Sequence, residues 1–93
     1  MLKLEGVRYI GPKNKLAKGY NPSSHIRVLL YIKSNGRGTY LDIYPLIKKY
    51  GHMRLSEAYV HAICTPLLDE EFASDKDLTD CIIMRIHEVD KTP

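Results

Sequence analysis

The segment between positions 42 and 64 carries local signals for two helix starts, and these constrain the fold more than any other part of the chain. Pro45 would break a helix interior, but in the first turn after Asp42 its missing amide costs no hydrogen bond. Ser56 can accept a hydrogen bond from the free amides of a following first turn. We therefore expect one helix at residues 43–50 and a second at about residues 56–64, joined by a tight turn.

The spacing of apolar residues predicts which face of each helix is buried. In the first helix the inward positions recur at helical intervals, and Lys48 and Lys49 remain outside; the inward set is Ile43, Leu46, Ile47 and Tyr50. The second helix is expected to bury Leu55, Tyr59, Ala62 and Ile63. Its solvent-facing positions, with the turn before it, are Arg54, Ser56, Glu57, Val60 and His61.

Other elements follow from periodicity and from residues that break regular structure. Near-alternation predicts a strand at residues 2–10, with Gly6 as a bulge. Residues 25–33 favour a central helix capped by Ser23 or Ser24, although so short an apolar run also suits a buried strand. The remaining expectations are an exposed basic loop at 13–22, a helix stop at 34–38, a short strand at 39–41, a helix break or new turn at Thr65 and Pro66, and a strand at 78–89.

Charge is divided between the two halves of the 93 residues. Up to Arg54 there are eleven Lys or Arg against Glu5 and Asp42, whereas the remainder has three against nine acidic residues. The halves are therefore about +9 and −6. Such asymmetry indicates a charged partner rather than a particular fold.

Size and composition narrow the class of protein. Ninety-three residues suit one domain, and no stretch approaches the roughly 20 apolar residues that cross a bilayer. The N-terminus lacks the apolar run of a signal peptide, so we expect an intracellular protein with no membrane association. Cys64 and Cys81 have no CxxC spacing and are expected to be buried free thiols.

The order helix, short strand, capped helix, turn, capped helix, acidic turn and strand resembles the winged helix-turn-helix DNA-binding family. The resemblance spans residues 23–89, with residues 1–22 as an N-terminal strand and basic loop, and it depends on pattern rather than on a signature motif. It implies an α+β domain of three helices with a small antiparallel sheet. It also implies that the helix at about 56–64 enters the major groove of DNA.

For this chain, the resemblance implies a transcriptional regulator that binds double-stranded DNA as a homodimer. Base contacts would come from the helix after the turn, and phosphate contacts from basic residues of the first half. The expected DNA-binding residues are Lys13, Lys15, Lys18, Arg37, Lys48, Lys49, Arg54, Ser56, Glu57, Val60 and His61. Tyr20 and Tyr40 lie beside basic residues and could stack on bases. We expect instead that both tyrosines lie in the core or at its rim.

The expected wing departs from the family and keeps a second function open. Its tip, at residues 74–80, is acidic and would be repelled by phosphate. The alternative is a protein-interaction module, or a small inhibitor of a nucleic-acid machine such as a virus encodes. Its basic partner would dock at Asp69, Glu70, Glu71, Asp75, Asp77 and Asp80. We expect no enzyme, cofactor or metal site, since Cys81 and His87 on an extended strand would lie too far apart to share an ion.

Overall fold

A computed structural model describes residues 1–11, 26–52 and 55–91 of the chain. Three α-helices and a four-stranded antiparallel sheet occupy these ranges, which confirms the α+β class. In chain order the elements are β1 (Leu2–Ile10), β2 (Arg27–Ser34), β3 (Arg37–Asp42), α1 (Tyr44–Tyr50), α2 (Glu57–Cys64), a 3-10 turn (Thr65–Leu67), β4 (Glu71–Phe72) and α3 (Asp75–Lys91).

The strands lie in the order β3-β2-β1-β4, and the helices cover one face of the sheet. Strand β1 is confirmed, and the register between β1 and β2 shifts between Leu4 and Gly6, which is the expected bulge. The core forms where one side of the strands meets the helices. It consists of Leu2, Leu4, Val28, Leu30, Ile32, Ile43, Ile47, Tyr59, Val60, Ile63, Cys64, Phe72, Leu78, Ile82 and Ile86.

The helix expected at residues 25–33 is wrong, because residues 27–33 belong to strand β2, while residue 25 and the expected caps Ser23 and Ser24 lie outside the described residues. Val28, Leu30 and Ile32 are buried at every second position, as a strand with one face on the core requires. The residues between them are also apolar, which hid the alternation from sequence reading. The alternative of a buried strand was correct.

The stop expected at residues 34–38 is instead the turn of a hairpin. Asn35 and Gly36 have φ angles of 53° and 80°, so the turn is the two-residue type in which both central residues are left-handed. Asn-Gly is the most favoured pair for such a turn because both residues tolerate positive φ. The short strand expected at 39–41 is confirmed within the longer β3.

Helices α1 and α2 match their local signals. The Gly51 amide donates to the carbonyl oxygen of Ile47 at the end of α1 (2.8 Å), and Ser56 Oγ accepts from the Tyr59 amide at the start of α2 (3.1 Å). Asp42 acts one residue before the cap of α1. Its Oδ1 accepts from the amides of Tyr44 (3.0 Å) and Val28 (3.1 Å), so it ties the start of the helix to the sheet.

The strand expected at residues 78–89 is wrong as well, because these residues belong to helix α3. Leu78, Ile82 and Ile86 follow one another at intervals of four and are all fully buried, which is the inner face of a helix. Met84 made the pattern resemble strand alternation, but its side chain is 61% exposed. The expected acidic wing tip is therefore the N-terminal part of a helix, where Asp75 and Asp77 favour the positive end of the helix dipole.

Candidate functional site

The side of the sheet opposite the helices carries polar, basic and aromatic side chains, and we call it the open face. In the register of the strands these residues form rows that run across the sheet. The rows are Glu71-Lys3-Lys33-Gly38, then Gly6-Tyr31-Tyr40, then Arg8-Leu29-Asp42, and finally Ile10-Arg27. A pair of tyrosines thus lies in the middle, with cations on both sides.

The two tyrosines are held against each other by the strand pairing. Tyr31 and Tyr40 are directly opposite in β2 and β3, and their ring centroids lie 5.2 Å apart at an interplanar angle of 48°. The Tyr31 ring covers Gly38, where any Cβ atom would collide with its hydroxyl group. Tyr40 is 61% exposed and so presents its ring to solvent. Sequence reading favoured a core or rim position for Tyr40, and that expectation is wrong.

A shallow depression lies beside the tyrosine pair. Its volume is about 230 Å³, and its lining consists of Gly6, Val7, Arg8, Leu29, Tyr31 and Tyr40. Pockets that enclose whole small molecules typically measure about 300–1,000 Å³. The depression therefore suits part of a ligand that extends across the surface better than an enclosed cofactor.

The cations of the open face differ in how far they are neutralised. Lys3 lies 4.0 Å from an Asp69 carboxylate oxygen and Arg27 lies 3.8 Å from one of Asp42, both at partly exposed sites. In the described ranges, Arg8 and Lys33 are exposed and make no ion pair. Lys33 is also directly opposite Lys3. Like charges in that position destabilise a sheet, but Glu71 on the other side of Lys3 and the Asp69 carboxylate offset part of this repulsion.

The residues predicted to bind DNA are divided among separate elements. Arg37 directly follows the turn between β2 and β3, and Lys33 lies shortly before it. The β2–β3 hairpin therefore carries a basic residue on each side of its turn. Lys48 and Lys49 are exposed in the last turn of α1, on the helix side of the sheet, and Lys49 Nζ lies 5.3 Å from the centre of the Tyr50 ring. The positions of Lys13, Lys15, Lys18 and Arg54, and of Tyr20, lie outside the described residues.

Helix α2 offers little of the chemistry expected for base recognition. Val60 was expected to contact DNA, but it is fully buried in the core, which corrects that prediction. Glu57 and His61 are exposed and lie 3.7 Å apart, so they face each other as an i, i+4 pair. The hydroxyl oxygen of Ser56 accepts the capping hydrogen bond from the Tyr59 amide. Ala62 was expected to face the core, but it is exposed.

Several acidic residues of the second half have intramolecular roles. Asp69 pairs with Lys3, and Asp80 accepts from Lys76 at 2.8 Å. Two of the six acidic residues expected to dock a basic partner are therefore already paired with lysines of the same chain. Glu70 and Glu71 remain exposed in and before β4.

A second polar cluster joins the C-terminal end of α3 to the other helices. Asp90 accepts from the Tyr59 hydroxyl (2.6 Å) and from the His52 amide (2.8 Å). Partial burial alone would raise the pKa of Asp90, but these two hydrogen bonds, with the nearby His52 and His87, outweigh it and lower that pKa. The cluster favours the ionised carboxylate and so stabilises the packing of the helices.

The two cysteines differ in their environments. Both are free thiols, with Cys64 buried as expected and Cys81 only partly buried. Burial raises the pKa of Cys64 to about 12, which keeps it protonated. Within the described residues, no three His, Cys, Asp or Glu side chains converge as a metal site would require.

The important residues that sequence reading missed are Arg8, Tyr31 and Lys33. The Asn-Gly turn was the available signal, because it predicts a hairpin in which Tyr31 and Tyr40 become neighbours. No family model, curated protein or solved structure matches this chain. Of the helices in the described part of the chain, none combines the length and apolar character of a membrane span.

Proposed function

We propose that this protein binds single-stranded nucleic acid on the open face of its sheet. The observation that carries the proposal is the exposed Tyr40 ring beside Tyr31, with Lys33 and Arg8, which make no ion pair within the described ranges, in the rows on either side. An intracellular location is part of the same proposal, since nucleic acids are found there.

Each component of the open face has a counterpart in a nucleic-acid strand. Every base has a flat π-face, so an exposed tyrosine binds bases with little regard to sequence. Lys33 and Arg8 attract the phosphates that lie between successive bases, and their binding releases condensed counterions. By analogy, RNA-recognition modules also stack unpaired bases on aromatic residues of a four-stranded sheet.

A single strand fits this surface better than a duplex does. Bases in a duplex are stacked on one another, so Tyr40 could not reach their faces without unpairing them. Duplex recognition through α2 is the rival proposal, in line with the winged-helix resemblance. That helix has an acidic residue, Glu57, at its start and no Lys or Arg among its eight residues.

Fluorescence anisotropy with labelled single-stranded RNA and DNA, and with duplex DNA, tests the proposal. We expect tighter binding of the single strands and a steep loss of affinity with salt. Tyr40→Ala should remove about 1–3 kcal/mol of stacking, which corresponds to roughly a 5- to 150-fold rise in Kd. Met84→Ala is the matched control, because Met84 is equally exposed but lies on α3.

Two double variants distinguish the open face from the helix side. Arg8→Ala with Lys33→Ala and Lys48→Ala with Lys49→Ala each remove two positive charges. Only the first pair should weaken binding strongly and reduce the salt slope by about 1.4, at about 0.7 per phosphate contact on a single strand. Loss of binding in the second pair alone, with a preference for duplex, would favour the rival. No binding at low salt would refute both.

A further inference from the structure

We propose that strand β3 pairs with β3 of a second copy of this chain, antiparallel and about a two-fold axis at Tyr40. The inference depends on the edge of the sheet and not on the nucleic-acid proposal. It would nevertheless extend the open face across both copies.

Among the described residues, strand β3 is an edge whose middle lacks the side chains that usually prevent pairing. In the described part of the chain, no strand lies beyond it, since the sheet order is β3-β2-β1-β4. Natural edges are commonly blocked by Pro, Lys, a bulge or extreme shortness. Strand β3 has six residues, and its middle, residues 38–41, contains neither a charge nor a proline. Its backbone is therefore suited to one more strand.

The hairpin determines which backbone groups of β3 are available. In a two-residue hairpin the residues that flank the turn, here Ser34 and Arg37, exchange hydrogen bonds, and bonded and non-bonded pairs then alternate. Thr39 and Leu41 thus bond to β2. The amide and carbonyl groups of Gly38, Tyr40 and Asp42 point away from β2, toward the free edge.

A second copy can use all three of these residues in one register. An antiparallel partner centred at Tyr40 places that residue opposite its own copy and Gly38 opposite Asp42 of the copy. Gly38 has no side chain to place opposite Asp42, whose carboxylate already accepts from the Val28 and Tyr44 amides of its own chain. Residues that face the same side of the sheet then meet, so the helices of both copies remain on one side.

Charge and shape favour this antiparallel arrangement over a parallel one. In the antiparallel register Asp42 lies opposite Gly38 of the copy and Arg37 lies opposite Ile43, so neither charge faces a like charge. Parallel pairing would place each charge beside its own copy. On the open face the pairing would align Tyr31 and Tyr40 of one copy with the same two tyrosines of the other, in one continuous row.

Cysteine cross-linking tests the register directly. In the Cys81→Ser background, Tyr40→Cys would place two Cα atoms about 5.5 Å apart, within the range that a disulfide spans. Thr39→Cys is the matched control, because its two copies would be diagonal neighbours about 7–8 Å apart, beyond that range. We expect a covalent dimer from Tyr40→Cys on mild oxidation and none from Thr39→Cys. Cross-linking of Thr39→Cys alone would overturn this register.

Sedimentation without nucleic acid tests whether the dimer exists. The wild-type chain and Tyr40→Phe should both reach twice the 10.7 kDa chain mass over a dilution series. Tyr40→Lys should remain monomeric, because two ammonium groups would face each other across the axis. Circular dichroism verifies that this variant is folded, as expected for an exposed position. A monomeric wild type, or a Tyr40→Lys variant that still dimerises, would overturn the proposal.

Discussion

Substitution of Val60 by alanine separates the two roles that this residue could have in α2. Sequence reading placed Val60 on the surface that contacts DNA, whereas the structure buries it completely among sheet and helix side chains. A buried valine contributes to the free energy of unfolding, and an exposed one does not. The substitution removes two carbon atoms and leaves every polar contact of the helix intact.

The expected loss follows from the buried volume. Two methylene equivalents at about 0.8 kcal/mol each give about 1.6 kcal/mol of lost transfer energy. The cavity left behind increases this to about 2–3 kcal/mol, because the surrounding core collapses only in part. At 0.05–0.15 kcal/mol per residue, a 93-residue domain has roughly 5–14 kcal/mol in all, so the loss is a large fraction of it.

Urea denaturation of Val60→Ala and the wild type measures the difference. The midpoint should fall while the slope m stays constant, and Tm should decrease by about 4–8 °C per kcal/mol. Ala62→Ser is the control, since Ala62 is exposed on the same helix and should change stability by less than about 0.5 kcal/mol. A Val60→Ala loss as small as that of the control, together with weaker nucleic-acid binding, would refute the burial of Val60.

Two further predictions concern the helix layer. The lowered pKa of Asp90 means that its stabilisation is complete above the unfolded pKa, near pH 4, and is lost as the pH falls through the lower folded value. Asp90→Asn should therefore lower the free energy of unfolding at pH 7 and make that free energy fall less steeply below about pH 5. If chemical denaturation shows the same pH dependence for Asp90→Asn and the wild type, the prediction is contradicted. For the thiols, a disulfide reagent at pH 8 should label Cys81 quickly and Cys64 only after unfolding, because the pKa of Cys64 is raised to about 12. Rapid labelling of both in the native protein would argue against burial of Cys64.

The parts of the fold that could be predicted from sequence are those with local causes. Pro45 marks a helix start because the first turn needs no amide from it, and Ser56 marks one through its hydrogen bond with Tyr59, so both helices could be placed from neighbouring residues alone. Strand β2 depends on long-range contacts instead. Leu29 and Tyr31 interrupt the apolar alternation, and only the open face explains why they are not in the core.

Helix α3 shows how one exposed apolar residue misleads a pattern. Ile82 and Ile86 fit both a period of two and a period of four, and Met84 between them favoured the first. Leu78 resolves the choice, because with Ile82 and Ile86 it completes a helical face that is fully buried. The candidate site was missed for a similar reason, since it depends on register: Gly6 meets Tyr31 and Lys3 meets Lys33 only across strands.

The register also changes what the division of charge along the chain means. Four of the early cations, Lys3, Arg8, Arg27 and Lys33, project on one side of the sheet, and the acidic start of α3 belongs to the helix layer. Asp69 and the neighbouring Glu71 already offset the charge of Lys3, whereas Lys33 and Arg8 make no ion pair within the described residues. A phosphate chain across this face would pair with these two cations, and the tyrosines between them would stack on its bases. The basic half of the sequence therefore favours a strand that crosses the sheet, rather than a groove entered by α2.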